Sequence, residues 1–188
     1  NTWSYADSIV AGGNGEFRIT VRNTGNTQLT NLCLLDIMPW VGDIKVLPAY
    51  NPRNSMFNLP YNPTNGAITS NLAGFFPTYS GAGLLPSRNP RRSTECGGFC
   101  GVADPAGAVP GLFSGAAVQT YSFKINANTG VNLMPGATLQ TIVPFKMPTQ
   151  GVQLQSSACN SFAVQAVPIG LTNVCLSAES NTACVSLY

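Results

Sequence analysis

A strict alternation of apolar and polar residues near the start of the chain constrains the fold more than any other feature. Phe17, Ile19 and Val21 alternate with arginine and threonine, so a β-strand would place these three apolar side chains on one face. Residues 23–26 (NTGN) suit a turn, and residues 31–37 form a second, more apolar strand. The pattern predicts two strands joined in a β-hairpin.

Short strand patterns return in the last third of the chain, and none of its segments keeps a 3.6-residue period. In the alternating segments Leu139, Val143 and Phe145 share one face. The other predicted strands cover residues 117–125, 161–167, 172–178 and 182–188. About seven short strands separated by turns favour an antiparallel β-sandwich.

Residues 48–115 differ in character from the segments on either side. Prolines recur there at positions 48, 52, 60, 63, 77, 86, 90, 105 and 110, and they disfavour long helices and central strands. We therefore expect one sandwich domain over residues 1–188, with residues 48–115 inserted between its early and late strands as a long ordered loop or subdomain.

Several short motifs occur in a characteristic order: NTGN at 23–26, DIMPWVGD at 36–43, NLMPGAT at 132–138 and NSFA at 160–163. This order resembles the conserved repeat domain of large bacterial, especially actinobacterial, cell-surface proteins, an immunoglobulin-like β-sandwich. The resemblance implies a secreted, extracellular domain at the cell surface. It also implies a non-catalytic structural or adhesive role in a surface protein or filament.

The composition limits the partners of the chain. Charged residues make up 9% of it and the formal net charge is +2, against about 25% charged residues in ordinary soluble domains. Such weak charge gives little for nucleic acid to bind. We also expect no direct membrane insertion, because no stretch approaches the ~20 apolar residues of a membrane helix.

Six cysteines in a chain without histidine favour disulfides over a metal site. A hairpin that turns at residues 178–181 would place Cys175 opposite Cys184. Cys96 and Cys100 are close enough in sequence for a disulfide between them to close a small loop. Cys33 then pairs with Cys159 by elimination. Six cysteines permit fifteen pairings, so the other arrangements stay open.

The absence of histidine also removes Ser-His-Asp and Cys-His triads. No carboxylate pair lies in a catalytic motif, so we expect no enzymatic activity, no metal and no cofactor. Asp36 and Asp43 flank the turn at Pro39 and could supply oxygen ligands to Ca²⁺. The alternative is that Asp36 accepts hydrogen bonds and fixes the end of its strand.

Two aromatic residues and three arginines are candidates for ligand binding. Trp40 or Tyr79 could stack on a sugar, and Arg88, Arg91 and Arg92 form the only basic cluster. These residues suggest an alternative function, a carbohydrate-binding module that uses the aromatics of residues 48–115 to bind surface glycans. The competing interpretations are core packing for Trp40 and a solvated loop for the arginines.

The N-terminal region is shorter than the resemblance implies, because only residues 1–10 precede the glycine-rich turn. A missing first strand would leave unpaired N–H and C=O groups at a sheet edge. We therefore expect residues 1–10 or 182–188 to contact a neighbouring domain or an identical subunit by strand addition. Buried aromatics would favour such assembly, whereas an open groove lined by exposed aromatics would favour sugar binding.

Overall fold

The computed structural model describes residues 3–47, 51–80, 96, 113–171 and 174–188. These ranges contain twelve β-strands, a short 3₁₀ helix over Pro63–Asn65 and no α-helix, which confirms the prediction of an all-β chain. No helix in them has the length and apolar character needed to cross a membrane. The strands are β1 (Ala6–Ile9), β2 (Asn14–Arg22), β3 (Leu29–Ile37), β4 (Thr69–Ser70), β5 (Phe75–Ser80), β6 (Phe113–Ser114), β7 (Ser122–Ala127), β8 (Thr138–Lys146), β9 (Ser157–Asn160), β10 (Phe162–Pro168), β11 (Leu176–Glu179) and β12 (Ala183–Leu187).

The described strands form three sheets. The large sheet has the order β11-β10-β3-β7-β5-β6, the β8 sheet the order β2-β8-β4, and the β12 sheet the order β1-β12-β9. All neighbours are antiparallel except β1 and β12, which are parallel. Antiparallel sheets are therefore confirmed. The strand count exceeds the expected seven in part because the two-residue strands β4 and β6 are too short to carry a periodic signal.

The main core lies between the large sheet and the two smaller sheets. The alternation in β2 has the predicted effect, since Phe17 and Ile19 are buried while Arg18 and Thr20 are exposed. The large sheet contributes Leu34 from β3, and all three sheets meet in one apolar cluster. The cluster includes Phe17, Ile19, Leu34, Phe123, Ile125, Leu139, Val143, Phe145, Val185 and Leu187.

A smaller apolar cluster covers the opposite face of the large sheet. Leu35 and Ile37 point to that face, and they pack with Trp40, Val46 and Ala163. The end of β3 is consequently buried on both faces. Segment 40–47, which follows β3, thus forms part of a third layer over the large sheet.

The two predicted hairpins are wrong. β2 pairs with β8, whereas β3 pairs with β10 and β7, so residues 23–26 connect two different sheets. The Asn23 side chain holds this crossing, because its Nδ2 donates to the carbonyls of Thr27 at 2.8 Å and Leu133 at 2.9 Å. Likewise, β11 pairs with β10 and β12 with β9. A turn signal shows where the chain reverses, but not which strand it then pairs with.

The disulfide pairings follow the true strand neighbours, and the sequence-based pairings are corrected. Cys159 and Cys184 lie directly opposite each other on β9 and β12 and form a disulfide with a Cα–Cα distance of 4.0 Å. Cys33 bonds to Cys96 across 5.6 Å between Cα atoms. Cys175 is also disulfide-bonded, but not to Cys184. Cys100 lies outside the described residues.

Part of the segment 48–115 belongs to the sheets. Its described residues supply β4, which pairs with β8, β5, which pairs with β7, and the short β6. β5 contains Pro77 although it lies between two neighbours. This position is tolerated because β6 pairs only with Tyr79 and Ser80, so Pro77 lies beyond the end of that pairing.

Candidate functional site: a groove between open sheet edges

The residues predicted to bind a ligand do not form a surface site. Trp40 is 7% exposed and Tyr79 is 4% exposed, and the Tyr79 ring stacks on Tyr61 with 5.3 Å between centroids. Burial raises the pKa of Tyr79 above its ordinary value. Because neither ring faces solvent, the assignment of Trp40 and Tyr79 to sugar stacking is corrected. Arg88, Arg91 and Arg92 lie outside the described residues.

The two carboxylates considered as calcium ligands flank a buried arginine instead. Arg53 Nη2 lies 2.8 Å from Asp43 Oδ2, and both side chains are fully buried. Arg53 Nη1 donates to Asn160 Oδ1 at 2.9 Å, and Asn160 Nδ2 donates to Asp36 Oδ2 at 3.0 Å. The guanidinium is therefore the cation of this cluster. Sequence reasoning missed it because Arg53 and Asn160 are 107 residues apart.

Asp36 is the most perturbed acid of the buried cluster. Burial raises its pKa from 3.8 to about 7, although Arg53 and the hydrogen bond from Asn160 oppose the rise. Burial also raises the pKa of Glu179, whose carboxylate accepts from Ser161 Oγ at 2.6 Å and from the Leu47 amide at 2.8 Å. Asp36 is completely buried, so its protonation bears on stability rather than on contact with a ligand.

A surface groove lies between β2 and β11. Each of these strands is the end strand of its sheet in the described part of the chain. The groove has a volume of about 690 Å³, and seven consecutive residues, 16–22, form one wall. Phe162, Val164 and Ala178 lie on the other wall. Because neither edge has a strand partner in the described ranges, backbone N–H and C=O groups of β2 and β11 point outward at the borders of the groove.

The groove continues into a more apolar cavity of about 470 Å³. The two share Val21, Arg22, Val164 and Ala178, so they form one continuous depression. Leu176 on β11 lines this end and is 48% exposed. Ile169, Leu171 and Val174 are similarly exposed in the segment before β11. Of these residues, Leu171 lines the apolar end of the groove together with Leu176, so this end carries two exposed aliphatic side chains.

The opposite end of the groove lies under the N-terminal segment. The Arg18 guanidinium carbon is 4.5 Å from the centroid of the Trp3 ring, a cation–π arrangement. Trp3 also borders a second cavity, of about 650 Å³, between β1 and β2. Sequence reasoning did not single out Trp3 or Arg18, since their proximity depends on the path of the chain from Trp3 through β1 to β2.

The structure also changes the expectation for the chain ends. β12 lies between β1 and β9, so the predicted edge at residues 182–188 is not open. β1 pairs in parallel with β12 over Ala6–Ile9 and is itself the end strand of that sheet in the described ranges. The chain therefore has a four-residue strand before the glycine-rich turn.

Comparisons with known proteins give little guidance. No protein-family model matches the chain, and a search of curated proteins finds no match. A structural neighbour is a family 123 glycoside hydrolase from Clostridium perfringens, studied for glycolipid glycan hydrolysis. It has 14% sequence identity and a TM-score of 0.32, and the match covers 100% of this chain and 22% of that protein.

Because this neighbour is a glycoside hydrolase, the prediction that the chain is not an enzyme is withdrawn. A TM-score of 0.32 carries no argument for a shared fold, a substrate or a catalytic residue. The groove between β2 and β11 therefore has to be interpreted from its own chemistry.

Proposed function

We propose that the chain is an immunoglobulin-like structural or adhesive module of an extracellular surface protein or filament, similar to the repeat domains of bacterial surface proteins. It acts through contacts with neighbouring domains or identical subunits. Two disulfides within the described ranges indicate an oxidising environment, since such bonds persist outside the reducing cytosol. They join β9 to β12 and β3 to Cys96, and so support a domain that resists unfolding.

One observation carries the proposal: exposed aliphatic residues lie beside the open edge of β11. Leu176 is 48% exposed, and Leu171 and Val174 lie close to it in sequence. Charged side chains usually protect such an edge from other chains. The only acid of β11 is Glu179, and its carboxylate is bound to Ser161 and Leu47. The edge therefore suits a permanent contact.

The alternative function, glycan binding by the aromatics of residues 48–115, loses its main support. Among the described aromatics of this segment, the rings of Phe57, Tyr61, Phe75 and Tyr79 are buried in the core, whereas Phe76 is 38% exposed. Buried rings stabilise the sandwich but do not stack on a ligand. We therefore retain assembly as the proposal.

Sedimentation equilibrium over a wide concentration range tests the proposal. We expect the average mass of the chain to rise with concentration, and Leu176→Asp to shift this association to concentrations about tenfold higher or more. Leu154→Asp is the matched control, because Leu154 is 71% exposed and lines neither part of the groove. A chain that stays monomeric throughout would contradict contacts between identical subunits, and equal effects of both substitutions would contradict the role of the β11 edge.

A further inference from the structure

The sandwich is incomplete on the side where the groove lies. Val164 of β10 pairs with both Leu34 and Ala178, so these three residues share the face that turns toward the interior. Leu34 is fully buried, but Ala178 is exposed and Leu176, on the same face, is 48% exposed. Leu34 is buried and Ala178 and Leu176 are not, because the facing β8 sheet ends at β2 in the described part of the chain.

An extended strand beside β2 would fill this position. β2 is nine residues long and pairs only with β8 in the described ranges, so about half of its backbone groups point into the groove. At ~3.3 Å per residue, residues 16–22 offer an edge of about 23 Å. Another extended backbone is the partner that can satisfy such a row of donors and acceptors.

The charges of β2 indicate which side chains the added strand carries. Arg18 and Arg22 are exposed on the outer face of β2, four residues apart. Neither forms an ion pair among the described residues. Glu16 is the only acid of the strand. Because residues opposite each other across two strands interact, acidic side chains four residues apart would complement the two arginines.

We propose that the groove binds an extended segment of a neighbouring polypeptide, which adds as a strand to β2. Alternate apolar side chains of this segment cover Leu176 and Ala178, and acidic side chains between them pair with Arg18 and Arg22. The inference rests on the proposed function and specifies how one of its contacts forms. It names a partner chain with an apolar–acidic alternation rather than a second copy of this chain.

The experiment uses the peptide acetyl-TVDVTVD-amide and the intact chain at a concentration where the chain is monomeric. Hydrogen exchange followed by mass spectrometry reports the amides of β2. We expect the peptide to protect residues 16–22 and to bind about tenfold more tightly than acetyl-TVKVTVK-amide, since two exposed attractive pairs become repulsive. N-methylation of alternate peptide nitrogens should abolish the protection, because it removes the N–H donors and leaves the side chains intact.

Two substitutions on adjacent residues distinguish binding in the groove from an effect of adding an arginine anywhere on β11. Ala178→Arg places a bulky cation in the groove, so we expect about tenfold weaker peptide binding or more. Ser177→Arg is the control: Ser177 also borders the apolar end of the groove, but it pairs with Gln165, which pairs with Cys33, so its side chain points to the opposite face. Both residues are exposed, and thermal unfolding checks that both variants fold.

The possible results lead to different conclusions. No protection of residues 16–22, full binding by the N-methylated peptide, or equal loss in the two variants overturns the added-strand inference. Protection of β2 that appears with rising protein concentration, without peptide, identifies a second copy as the occupant. That result refutes the inference but leaves the proposed function standing. Peptide binding by a chain that never self-associates would instead leave subunit contacts unsupported.

Discussion

Replacing Asp36 with asparagine should stabilise the protein above neutral pH. Asp36 is fully buried, and burial raises its pKa from 3.8 to about 7. Between pH 3.8 and about 7, Asp36 is protonated in the folded chain but ionised in the unfolded chain. The free energy of unfolding therefore falls as pH rises. The contribution of Asp36 to the free energy of unfolding is fully present below pH 3.8, and it is lost as pH rises through about 7. Glu179, whose pKa burial also raises, acts in the same direction.

The magnitude follows from the difference between the two pKa values. At about 1.4 kcal/mol per pH unit, raising the pKa of Asp36 from 3.8 to about 7 costs the folded state about 4 kcal/mol at pH 8. Total stabilities of domains are only about 5–15 kcal/mol, so this effect is large. Asparagine stays neutral, has the same shape and still accepts the hydrogen bond that Asn160 Nδ2 donates.

Urea unfolding at a series of pH values from 4 to 9, with the disulfides intact, measures the effect. We expect the intact chain to lose stability as pH rises, and Asp36→Asn to lose about 4 kcal/mol less. Asp7→Asn, on the exposed strand β1, is the control and should leave the slope unchanged. If Asp36→Asn differs from the intact chain by the same amount at every pH, the reasoning from burial is refuted.

Two further predictions concern the core and the cross-links. Arg53→Met should destabilise the chain by about 3–5 kcal/mol in urea unfolding, because it leaves the buried Asp43 carboxylate without its cation; a loss below 1 kcal/mol would show that the pair is dispensable. Peptide mapping without reduction should recover the Cys33–Cys96 and Cys159–Cys184 bonds, whereas a Cys175–Cys184 peptide would contradict the strand order of the β12 sheet.

Period-2 alternation predicted the strands well because it reports a property of one strand alone. β2, β8 and β10 lie close to where the pattern places them, and Phe17 and Ile19 are buried as expected. Pairing between strands is a different matter, since it depends on where the chain goes after each turn. Both predicted hairpins failed for that reason, and the disulfide assignment of Cys175 to Cys184 failed with the second one.

The groove could not be predicted, although an incomplete sheet edge was expected. The short region before the glycine-rich turn indicated an incomplete edge, and the structure does contain only a four-residue first strand. The incomplete position nevertheless lies beside β2, because β1 pairs with β12 and not with β2. Locating it required the order of strands in two sheets that face each other.

The alternation of side chains in β3 predicts that Asp36 is buried. Leu32, Leu34 and Asp36 are separated by two residues each, so in β3 they share one face, and the buried leucines of that face place the carboxylate in the core. A buried carboxylate must be protonated or compensated, and both occur here, through its raised pKa and the nearby Arg53. The position of Asp36 was thus predictable from β3 alone. Its partners were not, because Arg53 and Asn160 come from segments that only the folded chain brings together.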